Sequence, residues 1–267
     1  MGVVELSIVV AVDGRYAGAG SKQTILSGDG IVIMKVTPNV PNGDFHKTAI
    51  IENLIIDGHD SNNTNSISAG SVGILLQNVY NCIIRNVTIL NCEVGIKIEN
   101  TDNYWSQSNR IEHVRMTNVK TGILFTAATG TNGDFGFTTI KDVGIKLNSE
   151  TDDDPDTTTE RVGIQIGTAQ GPVVKLYSSF IKATVWLGNY RDGCGMKVYG
   201  ELKYSLVMLA VESPEHKDDT KIGVKIENPG SMAVYNNQSF MLSYGTNVGT
   251  ITTPPLFILH DIVTKHI

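Results

Sequence analysis

Two short patterns recur between Asn81 and Phe125 at a fixed step of 27 residues, and this recurrence constrains the fold more than any other feature. One is Ile-x-polar-Val-x-apolar, seen at Ile84–Ile89 and again at Ile111–Met116. The other is Gly-Ile-x-apolar, seen at Gly95–Ile98 and again at Gly122–Phe125. The first extends to Ile51–Ile56 and Ile140–Ile145, with steps of 33, 27 and 29. The second extends to Gly73, Gly163, Gly195 and Gly223, with steps of 22, 27, 41, 32 and 28. Self-similarity at such a period marks a repeat architecture.

Each copy is short, rich in β-branched residues and alternating, which specifies a strand with one buried face. Several such strands per repeat, with nothing helical between them, predict stacked coils. Equivalent strands would lie parallel at about 4.8 Å. The expected fold is all-β, a parallel β-helix. The Ile-x-Asn-Val-x-Ile and Gly-Ile-x-Ile pair resembles the repeat of the pectate-lyase-like superfamily over roughly residues 48–228. The resemblance implies a single-stranded right-handed β-helix (β-solenoid) of about 7–9 coils. It leaves the activity open, because that superfamily holds lyases, hydrolases, epimerases, phage tailspikes and catalytically silent surface proteins.

The expected organisation is one continuous domain. Residues 1–47 supply N-terminal strands and first coils, 48–228 the regular coils, and 229–267 a degenerate final coil and cap. Asp13–Ser21 reads as a Gly-rich turn; no helix follows it, so it is not a dinucleotide site. His59–Gly70 reads as a polar insertion, and Thr252-Thr253-Pro254-Pro255 as the end of the ladder, since prolines cannot donate to it. Gly58, Asn91 and Asn118 share one offset and are expected to form a left-handed turn. The column Asn53, Asn86, His113 and Asp142 reads as stacked turn side chains, with His113 no metal ligand. Glu52, Arg85, Glu112 and Lys141 alternate in sign on the neighbouring outward position and should fix the register.

Composition narrows the function. A net charge of −6 gives no general case for nucleic acid, and no apolar run reaches the length of a membrane span. Three cysteines, Cys82, Cys92 and Cys194, make no disulfide framework; Cys92 and Cys194, each close to a Gly-Ile strand, read as small buried residues. No signal peptide is visible at the start; a cell-surface, extracellular or virion setting follows from the resemblance alone. The C-terminal segment 256–267 is apolar enough to cap the open end or to join a homo-oligomer such as a trimer.

The outward position of the Gly-Ile strands holds Lys97, Lys197 and Lys225 with no acid, which suggests a stripe for an anionic polysaccharide. Tyr104 and Trp105 are candidates to stack on a sugar ring or to cover the core. Asp152, Asp153, Asp154 and Asp156 crowd around Pro155, either as a solvated loop or as a hard-cation site; calcium is thus the one cofactor with a candidate place in a chain that otherwise calls for none. The Asn-x-Asp, Asp-Asp, Gly-His-Gly and Arg-x-Lys motifs of polygalacturonase-type relatives are not in place; Gly58-His59-Asp60 matches only the first two letters of one. Two readings follow: a non-catalytic module that recognises glycan or builds an appendage, and a polysaccharide lyase or glycoside hydrolase acting on an acidic polysaccharide.

Overall fold

The computed structural model describes residues 8–10, 15–17, 24–37, 49–60, 63–101, 105–131, 133–147, 160–188, 193–212, 222–227, 239–244 and 262–266. For 8–10, 15–17, 24, 63–65, 239–244 and 262–266 it describes the backbone alone. The described residues are all-β, and their strands pair almost wholly in parallel, in a curled twenty-stranded sheet and a four-stranded one. This arrangement is compatible with a solenoid.

The strands fall into four columns. The first runs through Ile50–Glu52, Ile83–Arg85 and Arg110–Glu112 to the starts of Thr139–Lys146, Phe180–Trp186 and Leu206–Glu212. The second runs from Leu54–Asp57 through Thr88–Leu90 and Arg115–Thr117 to the ends of those same three strands. The third holds the Gly-Ile strands, with Ile74, Ile96, Ile123, Ile164, Met196 and Val224 paired in that order. It also reaches upstream to Val32–Val36 and Ile8–Val10. The fourth is Ser106–Gln107, Asp134–Gly136, Lys175–Tyr177 and Glu201–Lys203.

Alternation decides which side chains enter the core. The six paired residues of the Gly-Ile column are all buried, as are Ile51, Ile84, Ile111, Ile140, Ile181 and Val207 of the first column. Each fully buried aliphatic side chain contributes about 1.5–3 kcal/mol, an upper estimate because unfolded chains are partly collapsed. Phe125 and Phe135 meet edge to face at 5.6 Å where the third and fourth columns face each other.

Single residues in the left-handed region turn the chain between columns. Asn53, Asn86, His113 and Asp142 have φ of 57°, 53°, 54° and 53° between the first and second columns. Their stacking is direct: Asn86 Nδ2 donates to Asn53 Oδ1 at 3.4 Å, and His113 Nε2 lies 3.7 Å from Asp142 Oδ2. Asn91 and Asn118 also have positive φ, but Gly58 at the same offset does not. Gly58 is needed for space instead, since a Cβ there would meet Cys92 Sγ at 2.7 Å. The same holds for Gly73, Gly95, Gly122, Gly163 and Gly195, which open Gly-Ile strands: none is left-handed, and a Cβ on Gly122 would meet Gly163 O at 2.6 Å.

Three further expectations are corrected. Arg15–Ala17, inside the expected Gly-rich turn, is a strand paired in parallel with Ile50–Glu52. The expected polar insertion after Gly58 is strand as well: His59–Asp60 pairs antiparallel with Asn63–Gln77, which continues into the Gly-Ile column. Nor does the ladder end at the prolines, because Ile262–His266 pairs in parallel with Ser239–Tyr244, itself paired with Leu206–Val211. An apolar strand with free edge groups is best satisfied by the next layer, and this outweighs the local break.

Candidate functional site

Lys97, Lys197 and Lys225 stand in one register column, Lys97–Leu124–Gln165–Lys197–Lys225. Each, however, has a carboxylate partner. Lys97 Nζ is 2.6 Å from Glu99 Oε1, and Lys225 Nζ is 2.8 Å from Glu227 Oε1. Lys197 is only 5 % exposed; it bonds Glu160, lies 3.3 Å from Glu227 Oε1, and sits 5.0 Å over the Tyr199 ring. Burial opposes the Lys197 charge, but the bonds to Glu160 and Tyr199 outweigh it and hold the pKa above that of ordinary lysine. Hydrogen bonding to Glu227 raises Lys225 likewise. The Lys-x-Glu spacing at 97–99 and 225–227 carried this signal, because residues two apart on a strand share a face.

Of the aromatic candidates, Trp105 is 49 % exposed, and Tyr104 lies outside the described residues. The calcium candidates Asp152, Asp153, Asp154 and Asp156 also lie outside them. Among the described residues no cluster of three His, Cys, Asp or Glu side chains is placed to hold a metal. Burial pushes the Cys82 thiol up to about 11 and those of Cys92 and Cys194 up to about 12, so all three are inert packing groups at neutral pH. No helix among the described residues is long and apolar enough to cross a membrane.

The alternating charge column is in register, Glu52–Arg85–Glu112–Lys141. It is less exposed than its outward position implies: Glu52 is 2 % exposed and lies 2.6 Å from Arg85 Nε. Glu112 is held from its own strand by Arg110, at 2.8 Å. A second polar chain crosses the layers between the second and third columns. Arg161 Nη1 donates to Asn118 Oδ1 at 3.4 Å, Asn118 Nδ2 to Asn91 Oδ1 at 2.9 Å, and Asn91 Nδ2 to Asp57 Oδ1 at 2.9 Å. Its amides all point one way, from a buried guanidinium to a carboxylate, and it ties four layers together.

Among the described residues, a groove lies on the outer face of the second column. It is an open groove of about 420 Å³. Two register stripes line it, Arg115–Gly144–Thr184 and Thr117–Lys146–Trp186–Glu212. Gly144 makes the floor flat: a Cβ there would meet Arg115 Cδ at 3.1 Å. The Arg115 side chain therefore lies across Gly144, with Nη1 donating to Asp142 O at 3.1 Å and Val114 O at 3.4 Å. Arg115 and Glu212 are exposed, and Lys146 and Trp186 half-buried. A guanidinium, an ammonium, an indole and a carboxylate thus face one trough, about 4.8 Å apart layer by layer.

A second surface also escaped the sequence. Phe137 and Tyr204 hold left-handed turns between the fourth and first columns, with φ of 52° and 50°, and are 55 % and 51 % exposed. Bulky residues rarely adopt this conformation. Phe137 packs edge to face on Tyr177 at 5.7 Å, and the Tyr177 ring lies over Gly136, where a Cβ would be 2.5 Å from it.

Comparison with protein-family models, curated proteins and solved structures found no match to this chain.

Proposed function

We propose that the protein is a right-handed parallel β-helix of about 7–9 coils, of the pectate-lyase-like kind, and that it serves as a non-catalytic surface module that holds a glycan in the Arg115–Trp186 groove. The repeat columns and their parallel registers support the fold reading. The observation that carries the functional reading is the groove itself: an indole beside hydrogen-bonding and charged side chains on a rigid, layered floor. Indole faces match the apolar faces of sugar rings, and a sheet positions polar contacts more firmly than loops do. Glu212 is the one carboxylate among the described groove residues, whereas glycoside hydrolysis employs two carboxyl groups about 5–9 Å apart. This favours holding over hydrolysis. A module of this type belongs outside the cell or on a virion. The ion-paired lysine stripe takes a register-fixing role in this reading, and the groove takes the glycan.

The test is retardation of the protein in native gels cast with acidic or neutral polysaccharides, run with the parent and with Trp186→Ala. Retardation by at least one glycan, lost in the variant, is expected. Equal mobility of the parent with and without every glycan would refute it. Release of unsaturated products or new reducing ends would move the assignment to the lyase or hydrolase alternative.

A further inference from the structure

The groove is not uniform along the stack. Arg115 and Thr117 occupy one layer, Gly144 and Lys146 the next, Thr184 and Trp186 the third, and Ala210 and Glu212 the fourth. Cations therefore lie at one end, the indole in the middle and a carboxylate at the other end, about 4.8 Å per layer. Arg115 is fixed by its Nη1 bonds to two backbone carbonyls, and its other guanidinium nitrogens have no partner among the described residues. They present a preset fork for an oxyanion.

We infer, building on the glycan reading of this groove, that its ligand is a polysaccharide whose charge alternates from sugar to sugar. With one ring per layer, an anionic ring sits at Arg115, within reach of Lys146 one layer on, and the ring at Glu212, three layers on, is neutral or carries an amine. An extended glycan advances by about one layer per ring, so neighbouring sugars meet neighbouring layers. A polymer with a carboxylate on every ring would bring one against Glu212. Glu212 is exposed at the trough's end and acts there as a repulsive element, which is how a site rejects a near-relative of its ligand. The chain's net charge of −6 adds to this, since a uniform polyanion is repelled except at the cationic end.

The experiment titrates the full chain at low salt with three probes: hyaluronate, in which carboxylated and neutral rings alternate; polygalacturonate, carboxylated on every ring; and dextran, which is neutral. Hyaluronate is expected to bind about 5-fold tighter than polygalacturonate, the size of one unscreened close charge contact in water. Glu212→Gln should raise polygalacturonate affinity about 5-fold and leave hyaluronate unchanged, while Arg115→Ser should weaken both. Both residues are exposed, and unchanged melting curves will show that the variants fold. Polygalacturonate binding as tightly as hyaluronate, or indifferent to Glu212→Gln, would overturn the charge order while leaving the groove a glycan site. Equal binding of dextran would do the same. Failure of all three probes would overturn both this inference and the glycan reading beneath it.

Discussion

Gly122→Ala tests the layered packing at its tightest point. The added methyl would lie 2.6 Å from Gly163 O and 2.7 Å and 2.8 Å from Ile145 Cγ2 and Cδ1. Gly163 O belongs to the backbone of the adjoining strand, and Ile145 is buried, so neither neighbour can swing away. Overpacking of this kind costs about 3 kcal/mol, the upper part of its usual range. Replacing glycine in a strand interior returns up to about 1 kcal/mol through chain entropy. The net expectation is a loss of about 2 kcal/mol, read as a lower urea midpoint at unchanged slope. Gly130→Ala is the control: φ is +79°, but nothing lies within 4 Å of the new methyl, so the left-handed backbone penalty of about 1–2 kcal/mol is offset in part by the same entropy gain and a loss of about 1 kcal/mol or less remains. A Gly122→Ala midpoint equal to that of the parent, or a Gly130→Ala loss larger than the Gly122→Ala loss, would refute the close stacking of the Gly-Ile column.

Arg85→Glu would set a second carboxylate beside the buried Glu52, and a loss of about 2 kcal/mol is expected in thermal or urea unfolding, since Arg85 itself is part-exposed; a change under 0.5 kcal/mol would contradict the register. Tyr204→Gly relieves a left-handed tyrosine at φ 50° and is expected to stabilise by about 1 kcal/mol in the same assay; destabilisation would mean that the exposed ring packs more firmly than its exposure implies. For pH, burial opposes the Glu227 charge, but Lys225 and Lys197 outweigh it and lower the pKa. Its contribution is therefore present above the ordinary value of 4.5 and lost as pH falls through the lower folded value. Lys225 is raised above 10.5, so its share is full below that pH and lost as pH rises through the folded value. Glu227→Gln should flatten both limbs of the stability–pH curve, and an unaltered alkaline limb would exclude the pair.

The columns were legible because a period of two sorts each strand into an inner and an outer face, so Ile84, Ile111 and Ile140 announced a shared core position. The turn column was equally plain, since Asn and Asp tolerate the left-handed backbone. The groove was not. Its stripe depends on pairing Lys141 with Lys182 and Val143 with Ala183, where the register shifts by one residue. Strand Phe180–Trp186 runs straight through the place where Asp142 makes a left-handed turn, so it has no polar marker and hides Trp186 from pattern matching. The lysine stripe was legible as a register column, but its carboxylate partners were not, because Glu160 comes from outside the repeat and Glu99 and Glu227 from beyond the four-residue motif. Asp13–Ser21 and the proline segment show the opposite failure, in which local turn chemistry concealed strands that the neighbouring layers recruit.

The glycan groove is tested most directly by the fluorescence of Trp186. The chain has two tryptophans, so Trp105→Phe leaves Trp186 as the sole reporter. Titration of this variant with hyaluronate at low salt is predicted to give a saturable change in emission whose midpoint Arg115→Ser shifts to higher glycan concentration and that added salt weakens. No change with hyaluronate, polygalacturonate or dextran would contradict the account and leave a purely structural module.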